Sequence, residues 1–235
     1  MRYLKGHRTS MIKHAIAVLI GFFRRPGRFS VYHYPREAAL DRLRGTQGGT
    51  ILDVGCGSRK LPGLAIRIDL TAIACADVVA DANRLPFRDS CCDGVWLEAV
   101  LEHVSYPDQI IEECARGLKT NGWLYCEVPF LQGEHSAPHD FRRWTRQGLK
   151  ELFQAWSLEW IGPASGPFSV LAYQLRSCLS LLTCFGNEWL FRIMFEAVWG
   201  YVVWPIKFLD VFVLNNVHAQ AHAFGYAIML RRKPK

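Results

Sequence analysis

The chain has 235 residues, of which 50% are hydrophobic and 21% charged, an ordinary composition for a globular protein. Its first 28 residues hold seven of the 28 basic residues and none of the 21 acidic ones, so the remainder carries 21 of each. A nucleic-acid-binding domain concentrates basic residues on its folded body, so this distribution disfavours a nucleic-acid partner. The eight cysteines are scattered without a C-x-x-C pair, which argues against a disulfide framework or a zinc ribbon and favours a reducing, cytoplasmic compartment.

Residues 1–44 are predicted to form a basic and apolar N-terminal arm, followed by one domain over residues 45–235. Within the arm, Met11–Phe23 is apolar but too short to span a bilayer. A signal peptide would also begin with basic residues and an apolar stretch, but Arg24-Arg25-Pro26 follows where a small-residue cleavage site would stand. We therefore expect a helix that lies on an anionic membrane surface or packs against the core.

From Thr50 onward, short apolar strands alternate with helices, a pattern that favours a parallel sheet covered by helices. The predicted strands are Thr50–Val54, Ala65–Leu70, Ala76–Ala80, Gly94–Leu97, Trp123–Val128, Leu158–Ile161 and Phe224–Leu230. One helix is predicted to begin at Pro107 and to end at Asn121-Gly122, and a second covers Gly148–Phe153.

The segment at about 166–216 is too long for an ordinary connection between strands, and it is rich in Leu, Phe and Trp. Two or three apolar helices inserted before the last strand are predicted there. The run Ala197–Leu214 approaches the length of a membrane span, but Pro205, Lys207 and Asp210 interrupt it. Aromatic residues suited to the headgroup layer are Trp189, Trp199, Tyr201 and Trp204. We expect peripheral membrane contact, with a lid or a homodimer face as alternatives.

The strand that includes Ile51–Val54 leads into a glycine loop, Gly55-Cys56-Gly57. Such a loop lets a ligand approach the backbone at the carboxyl edge of a sheet. A dinucleotide fingerprint needs a third glycine where this chain has Lys60, and a ribose-binding acid further along than Asp69. The loop therefore favours a ligand without a pyrophosphate.

Four carboxylates fall at or near the ends of the predicted strands: Asp53, Asp69, Asp81 and Glu98. A parallel sheet would gather them along one rim, where they would repel a pyrophosphate. They would suit a ligand that carries an ammonium, a sulfonium and a ribose diol. Each acid taken alone could equally be a turn or cap residue.

Four segments, in chain order, resemble the successive motifs of class I S-adenosylmethionine-dependent methyltransferases: LDVGCG, IRIDL, ADANRLPFRDSCCDGVWLEAVLEHV and LKTNGWLYCEVPF. In particular, they resemble the small-molecule branch that includes the ubiquinone-biosynthesis enzymes. The resemblance covers about residues 45–160 and the last strand. It implies an α/β, Rossmann-like, doubly wound sheet of about seven strands, mostly parallel with an antiparallel last strand.

The same resemblance implies S-adenosylmethionine as the cofactor. Its methionine part would be held at Asp53, Gly55, Cys56 and Gly57, its ribose at Asp69, its adenine beside Asp81 and Ala82, and its methyl group near Glu98. The loop departs from the family pattern in reading G-C-G-S-R-K, where many relatives carry a further glycine.

The loop after the fifth strand contains His135, His139, Asp140, Arg143 and Trp144. It resembles the P-H-D-aromatic-x-R-aromatic-T stretch of a branch of bacterial methyltransferases. His139 beside Asp140 is the first candidate for a catalytic base and His135 the second, with Arg143 and Trp144 as candidates for substrate binding. Alternatively, Asp140 pairs with Arg143 and only fixes the loop. No metal site is expected, because Pro138 prevents a helical pair of His135 and His139.

The predicted function is S-adenosylmethionine-dependent methyl transfer to an oxygen, nitrogen or carbon nucleophile of a small or lipid-linked acceptor, at the inner face of a membrane. The alternatives are a nucleotide-dependent oxidoreductase and a non-catalytic binding module of the same fold. The missing third glycine argues against the first, and the intact Asp53–Gly57 loop with Asp69 against the second.

Overall fold

The computed structural model describes residues 34–45, 48–59, 61, 65–72, 75–135, 139–213 and 216–234. Residues 1–33 of the predicted arm lie outside the described residues, as do Lys60 and Pro138. The chain divides into two compact units. The sheet unit comprises Tyr34–Phe130, Glu134–Ala164 and Gly225–Lys235, and the helical unit includes Leu131–Gly133 and Ser165–Phe224.

The sheet unit is built on seven strands. In chain order they are β1 (Ile51–Val54), β2 (Ala65–Asp69), β3 (Val78–Val79), β4 (Cys92–Glu98), β5 (Leu118–Pro129), β6 (Ser157–Ser165) and β7 (Gly225–Arg231). Their order across the sheet is β3-β2-β1-β4-β5-β7-β6. The first five strands pair in parallel, and β7 pairs antiparallel with β5. The predicted Rossmann-like fold with an antiparallel last strand is confirmed.

Helices α1 (Tyr34–Gly45), α2 (Pro107–Gly117) and α3 (Arg146–Leu152) belong to the sheet unit. Alternate residues of a strand face opposite sides of a sheet, so Trp96 of β4 and Tyr125 of β5 share one face, with ring centroids 4.2 Å apart. Ala39, Leu40 and Leu43 of α1 complete the same buried cluster. The apolar stripe of α2 is also buried, as its spacing predicts.

Most element boundaries differ from the sequence prediction by one or more residues, and the differences at α2 and β3 change the pairing of strands. Helix α2 ends at Gly117 rather than at Asn121-Gly122, because Leu118 is already extended and pairs with Cys92 of β4. Asn121 instead adopts a φ of 63° inside β5. The third strand contains only Val78–Val79, and its pairing with β2 is correspondingly short.

The helical unit begins with a long helix, α4 (Pro167–Thr183), followed by shorter ones, α5 (Glu188–Ile193), α6 (Trp199–Val203) and α7 (Asp210–Val213). A π-helical turn (Met194–Val198) and two 3-10 turns (Trp204–Leu209 and Ala219–His222) interrupt them. The described part of the predicted run, residues 197–213, is thus broken into short pieces around Pro205. Among the described residues, no helix combines the length and the apolarity needed to cross a membrane.

The aromatic residues predicted for a headgroup layer do not share one environment. Trp189 is exposed and Tyr201 partly so. Trp199 donates a hydrogen bond from its indole nitrogen to Thr183 Oγ1 (3.0 Å), and Trp204 is buried against Phe208. Trp204 therefore belongs to the interior of the helical unit, which corrects the sequence prediction for this residue.

A buried carboxylate organises the start of α4. Asp210 accepts hydrogen bonds from the backbone nitrogens of Phe168 (2.7 Å) and Ser169 (3.0 Å) and from Ser169 Oγ (2.6 Å). These backbone groups have no partner within their own helix, and the positive end of the helix dipole favours the anion. Gly166 permits this approach, because a Cβ atom there would collide with the Asp210 carboxylate.

Candidate functional site

The parallel strands bring the predicted acidic residues to one edge of the sheet. β2, β1, β4 and β5 are neighbours with their carboxyl ends on the same side. Asp53 lies next to the end of β1, and Asp69 and Glu98 end β2 and β4. Glu127, near the end of β5, pairs in register with Glu98 and adds a carboxylate that the sequence prediction did not include.

The glycine loop turns sharply out of β1. The backbone nitrogens of Gly55 and Cys56 both donate to the carbonyl oxygen of Ile68 (2.9 and 3.0 Å), which fastens the loop to β2. Gly55 has a φ of 71°, and a Cβ atom there would come within 2.5 Å of Val100 Cγ2. The loop therefore needs glycine at this position both for its conformation and for its contact with the segment after β4.

Asp69 is held in a fixed orientation at the end of β2. Its Oδ2 accepts a hydrogen bond from the Gly57 nitrogen (2.9 Å), and its Oδ1 accepts from the Thr71 nitrogen (3.1 Å) and Oγ1 (2.9 Å). Partial burial acts to raise the pKa of Asp69, but these hydrogen bonds outweigh it and lower the pKa below its usual value. The residue is an ionised, oriented acceptor beside the glycine loop.

Asp53 is fully buried, and neither of its carboxylate oxygens has a hydrogen-bond partner among the described residues. The guanidinium of Arg59 lies 3.7 Å from Oδ1. Burial raises the pKa of Asp53 to about 6, although the charge of Arg59 opposes the rise. A cationic ligand group at this position would satisfy a carboxylate that the protein leaves without hydrogen bonds.

Two arginines bind Glu98. Arg36 Nε lies 3.2 Å and Arg59 Nη1 3.7 Å from its carboxylate, and Trp96 Nε1 donates to it at 2.9 Å. Burial acts to raise the pKa of Glu98, but the two guanidinium groups hold it below its usual value. Arg59 also donates to the carbonyl oxygens of Glu98 (2.6 Å) and Gly55 (3.1 Å), so it joins the glycine loop to the end of β4.

Asp81 and Ala82 follow β3 at the same edge. The Asp81 side chain accepts hydrogen bonds from the Asn83 nitrogen (2.9 Å) and Nδ2 (2.8 Å) and is exposed. The Asp81 side chain thus closes a turn with Asn83. A turn residue was the alternative to a ligand contact in the sequence prediction. Its role beside an adenine remains a prediction.

The loop between β5 and α3, which we call the acceptor loop, is organised around Asp140. Arg143 donates two hydrogen bonds to its carboxylate (2.5 and 2.6 Å), and the His135 nitrogen donates to Oδ2 (2.8 Å). The bonds from Arg143 hold the pKa of Asp140 well below its usual value, against the opposing effect of burial. The Asp140–Arg143 pair is therefore present, as the alternative interpretation of the loop expects.

The remaining candidates of the acceptor loop lie in different surroundings. The His139 side chain is exposed, with its ring centroid 5.6 Å from that of Phe141. Trp144 is buried, and its backbone nitrogen donates to the Pro129 carbonyl oxygen (3.4 Å). The catalytic role of His139 and the substrate-binding roles of Arg143 and Trp144 remain predictions.

Glu102 is a site residue that the sequence prediction missed. It lies in the 3-10 turn Leu101–His103 after β4, where the chain passes through Ala99 at a φ of 58°. Its side chain is 1% exposed, and neither carboxylate oxygen accepts a hydrogen bond from a described residue. Burial raises the pKa of Glu102 to about 7.

Residues 52–126 match a family model described as a methyltransferase domain. These residues therefore carry a methyltransferase domain. S-adenosylmethionine is the cofactor of such domains, so the predicted class and cofactor are confirmed for the methyltransferase domain. The assignment of individual residues to parts of the cofactor remains a prediction.

Two curated relatives share part of their length with this chain. A tRNA (carboxymethyluridine(34)-5-O)-methyltransferase of Arabidopsis thaliana is 32% identical over 149 residues, which cover 56% of this chain and 35% of that protein. The ubiquinone/menaquinone biosynthesis C-methyltransferase UbiE of Acidiphilium cryptum is 35% identical over 75 residues, which cover 32% of this chain and 30% of that protein. The chain thus spans about a third of the length of these relatives.

A solved structure agrees with the fold of the methyltransferase domain. The crystal structure of a SAM dependent methyltransferase from Archaeoglobus fulgidus superposes with a TM-score of 0.50 and 17% identity. The match covers 83% of this chain and 94% of that one. It extends well beyond the residues of the family match.

The described residues of the methyltransferase domain fit S-adenosylmethionine. The carboxylate oxygens of Asp53 accept no hydrogen bond from a described residue and are available to a cationic group, and Asp69 is an oriented acceptor for a ribose diol.

Two arginines that bind Glu98, Arg36 and Arg59, were absent from the sequence prediction. Arg59 could have been noted as a cation within the glycine loop, whereas Arg36 is 62 residues from Glu98 and no local motif connects them.

Proposed function

We propose that the protein transfers the methyl group of S-adenosylmethionine to a nucleophilic oxygen, nitrogen or carbon atom of a small or lipid-linked acceptor. The observation that carries the proposal is Asp69, ionised and oriented by Gly57 and Thr71 at the end of β2. A carboxylate in this position can accept hydrogen bonds from both hydroxyls of a ribose. Asp53, in the neighbouring strand β1 at the same edge of the sheet, would bind the positively charged ammonium group of the methionine part.

The bound cofactor supplies an electrophilic methyl group on a sulfonium. The protein must then hold a nucleophile in line with that group and accept the proton that the nucleophile loses. His139 is our candidate for the proton acceptor, because its imidazole is exposed and lies in the loop that follows β5. Asp140 and Arg143 fix the conformation of this loop.

A small or lipid-linked acceptor agrees with the charge distribution, because the chain beyond residue 28 is balanced between basic and acidic residues. The Arabidopsis relative, by its name, acts on tRNA, so bulk tRNA is the competing acceptor to include in any test. A tRNA-binding surface would require a basic face.

The setting that we propose is the inner face of a membrane. Large apolar side chains of the helical unit are more than half exposed: Leu181, Leu182, Phe185, Trp189, Val202 and Phe212. Exposed apolar side chains that adjoin one another on a surface are typical of a membrane or protein contact. With the basic residues of the N-terminal arm, it favours peripheral binding to anionic lipid, and a homodimer is the alternative occupant of the same surface.

The test is transfer from tritiated S-adenosylmethionine to three separate pools: organic-solvent-extracted lipids, water-soluble small molecules and bulk tRNA. We expect label in the lipid or small-molecule pool, and a roughly hundredfold decrease with His139→Ala at unchanged S-adenosylhomocysteine affinity. Label in tRNA alone would overturn the proposed acceptor. Failure to bind S-adenosylhomocysteine would overturn the proposed function itself.

A further inference from the structure

A cluster of three side chains lies where the segments after β4 and β5 meet. Glu102 and His103 come from the turn after β4, and His135 comes from the acceptor loop. Glu102 Oε1 lies 3.7 Å from His103 Nε2 and 3.9 Å from His135 Nε2. One ligand atom from each residue lies within 4.8 Å of the other two.

Glu102 is the unusual member of this cluster. Its side chain is 99% buried, yet both carboxylate oxygens lack a hydrogen bond within the described part of the chain. Burial of a carboxyl group without a hydrogen bond is unfavourable, and a bound cation would supply the missing interaction. The two imidazole nitrogens close to Oε1 are too distant for hydrogen bonds, but the candidate ligand atoms of the three residues lie within 4.8 Å of one another.

The Nδ1 atom of each imidazole already contacts another polar group of the protein. His103 Nδ1 lies 2.6 Å from the carbonyl oxygen of His139, which can only accept a hydrogen bond, so the proton of a neutral His103 is on Nδ1. His135 Nδ1 lies 3.3 Å from the ionised Asp140 carboxylate and 3.5 Å from Arg143 Nη2. When its Nδ1 carries the ring proton, each Nε2 has a lone pair available to a metal ion.

We propose that Glu102, His103 and His135 bind a divalent transition-metal ion such as Zn²⁺, Mn²⁺ or Fe²⁺. Two imidazoles and one carboxylate are a common ligand set for these ions. A carbonyl oxygen and a carboxylate behind the imidazoles are the usual supports for metal-binding histidines. The sequence-based expectation of no metal site considered His135 with His139, whereas the structure brings His135 to Glu102 and His103 instead.

The distances from Glu102 Oε1 to the two histidine Nε2 atoms are close to those between ligand atoms that share a metal ion. Bonds of about 2.1 Å in tetrahedral geometry place ligand atoms about 3.4 Å apart, so the two distances from Glu102 Oε1, 3.7 and 3.9 Å, would contract by a few tenths of an ångström. The two histidine nitrogens, which lie within 4.8 Å of each other, would approach by up to about 1.4 Å. The side chains of His103 and His135 are 17% and 34% exposed, which leaves the outer side of the ion open. An ion with three protein ligands and an open side can bind a water or an acceptor hydroxyl and lower its pKa.

The test is direct metal binding by the metal-free full-length chain, measured calorimetrically with Zn²⁺ and by visible absorption with Co²⁺. We expect one ion per chain at this site and Co²⁺ absorption bands typical of nitrogen and oxygen ligands. Glu102→Gln and His103→Ala should each weaken Zn²⁺ binding by about tenfold or more. His222→Ala, an exposed histidine of the helical unit, is the matched control and should leave the affinity unchanged.

Zn²⁺ binding of equal strength in wild type, Glu102→Gln and His103→Ala would place the ion elsewhere and overturn the proposal, as would no binding at about 1 mM Zn²⁺. Circular dichroism identifies variants that fail to fold. If Glu102→Gln does not fold, His135→Ala provides the measurement, because that side chain is partly exposed. These titrations contain no S-adenosylmethionine, so the proposal goes beyond methyl transfer and its outcome is independent of that activity.

Discussion

At the scale of single residues, Asp69 is the most direct test of the cofactor site. We expect Asp69→Ala to weaken S-adenosylhomocysteine binding by about tenfold or more, because hydrogen bonds to a charged acceptor contribute about 1.5–3 kcal/mol. Isothermal titration calorimetry measures the change. Asp89→Ala is the control, since Asp89 is an exposed carboxylate paired with Arg116 outside the site. Equal affinities in the two variants would contradict the role of Asp69.

The raised pKa of Asp53 predicts that cofactor binding depends on pH. Because the pKa of Asp53 is raised to about 6, its carboxyl is mostly protonated at about pH 5 and ionised at about pH 7. The ligand's α-ammonium stays protonated over this range and favours the ionised carboxylate. The charged groups around Asp53 are Arg59, Glu98, Arg36 and Arg67. The lowered pKa of Glu98 keeps that carboxylate ionised.

We therefore expect the affinity for S-adenosylhomocysteine to rise by up to about tenfold between about pH 5 and pH 7, measured by calorimetry at three pH values. Asp53→Asn should lower the affinity at about pH 7 and remove most of the rise. A wild-type affinity that does not change with pH would show that Asp53 does not face the cationic part of the ligand.

How far the residues of the site can be predicted depends on the distance between partners along the chain. Asp53, Asp69 and Glu98 were predictable because each lies at or next to the end of an apolar strand, and parallel strands end at the same edge. Glu102 was not, because the sequence does not show that its turn is buried or that His135 from the next loop approaches it. Such contacts are set by the packing of distant segments.

At the scale of elements, the contact between Asp210 and α4 predicts a large effect on stability. Asp210→Ala leaves the buried nitrogens of Phe168 and Ser169 without their acceptor, and we expect the free energy of unfolding to fall by about 2–3 kcal/mol. Urea unfolding followed by circular dichroism measures this. Asp108→Ala, in the exposed first turn of α2, should cost less than about 1 kcal/mol. Equal losses would show that the Asp210 bonds contribute little.

The elements of the sheet unit were easier to predict than those of the helical unit. Strands β1 and β4 follow from short apolar runs, and α2 follows from an apolar stripe that begins after a proline. The segment after α4 is rich in apolar residues with few charged ones between them, so its periodicity does not indicate where each helix ends. Its division around Pro205 and its attachment through Asp210 depend on tertiary contacts.

At the scale of the whole molecule, we predict binding to anionic vesicles. The chain should co-sediment with phosphatidylglycerol-containing liposomes at low salt and partly remain bound at about 1 M salt, because salt screens charge but not apolar burial. Leu182, Phe185 and Trp189 are each more than 70% exposed. Replacing all three with Ser should lower binding at high salt by at least about tenfold.

Tyr106→Ser is the control for this experiment, because Tyr106 is an exposed apolar side chain of the sheet unit. A wild-type chain that stays in the supernatant at low salt would contradict the membrane prediction. Retention that is unchanged in the triple variant would exclude these three side chains as the contact. A shift to a dimer, measured by light scattering and abolished by the triple variant, would assign the surface to self-association.

The position of β7 has a consequence for how the sheet is assembled during synthesis. β7 is the last of the seven strands along the chain, yet it lies between β5 and β6. Until Gly225–Arg231 has left the ribosome, β5 keeps an unpaired edge and β6 cannot take its place in the sheet. β6 and the helical unit are translated during this interval, so the nascent chain carries an open edge on β5 for about 95 residues of synthesis, between Pro129 and Gly225, at several residues per second. Its folding thus depends on sheltering that edge from neighbouring chains until the final strand arrives.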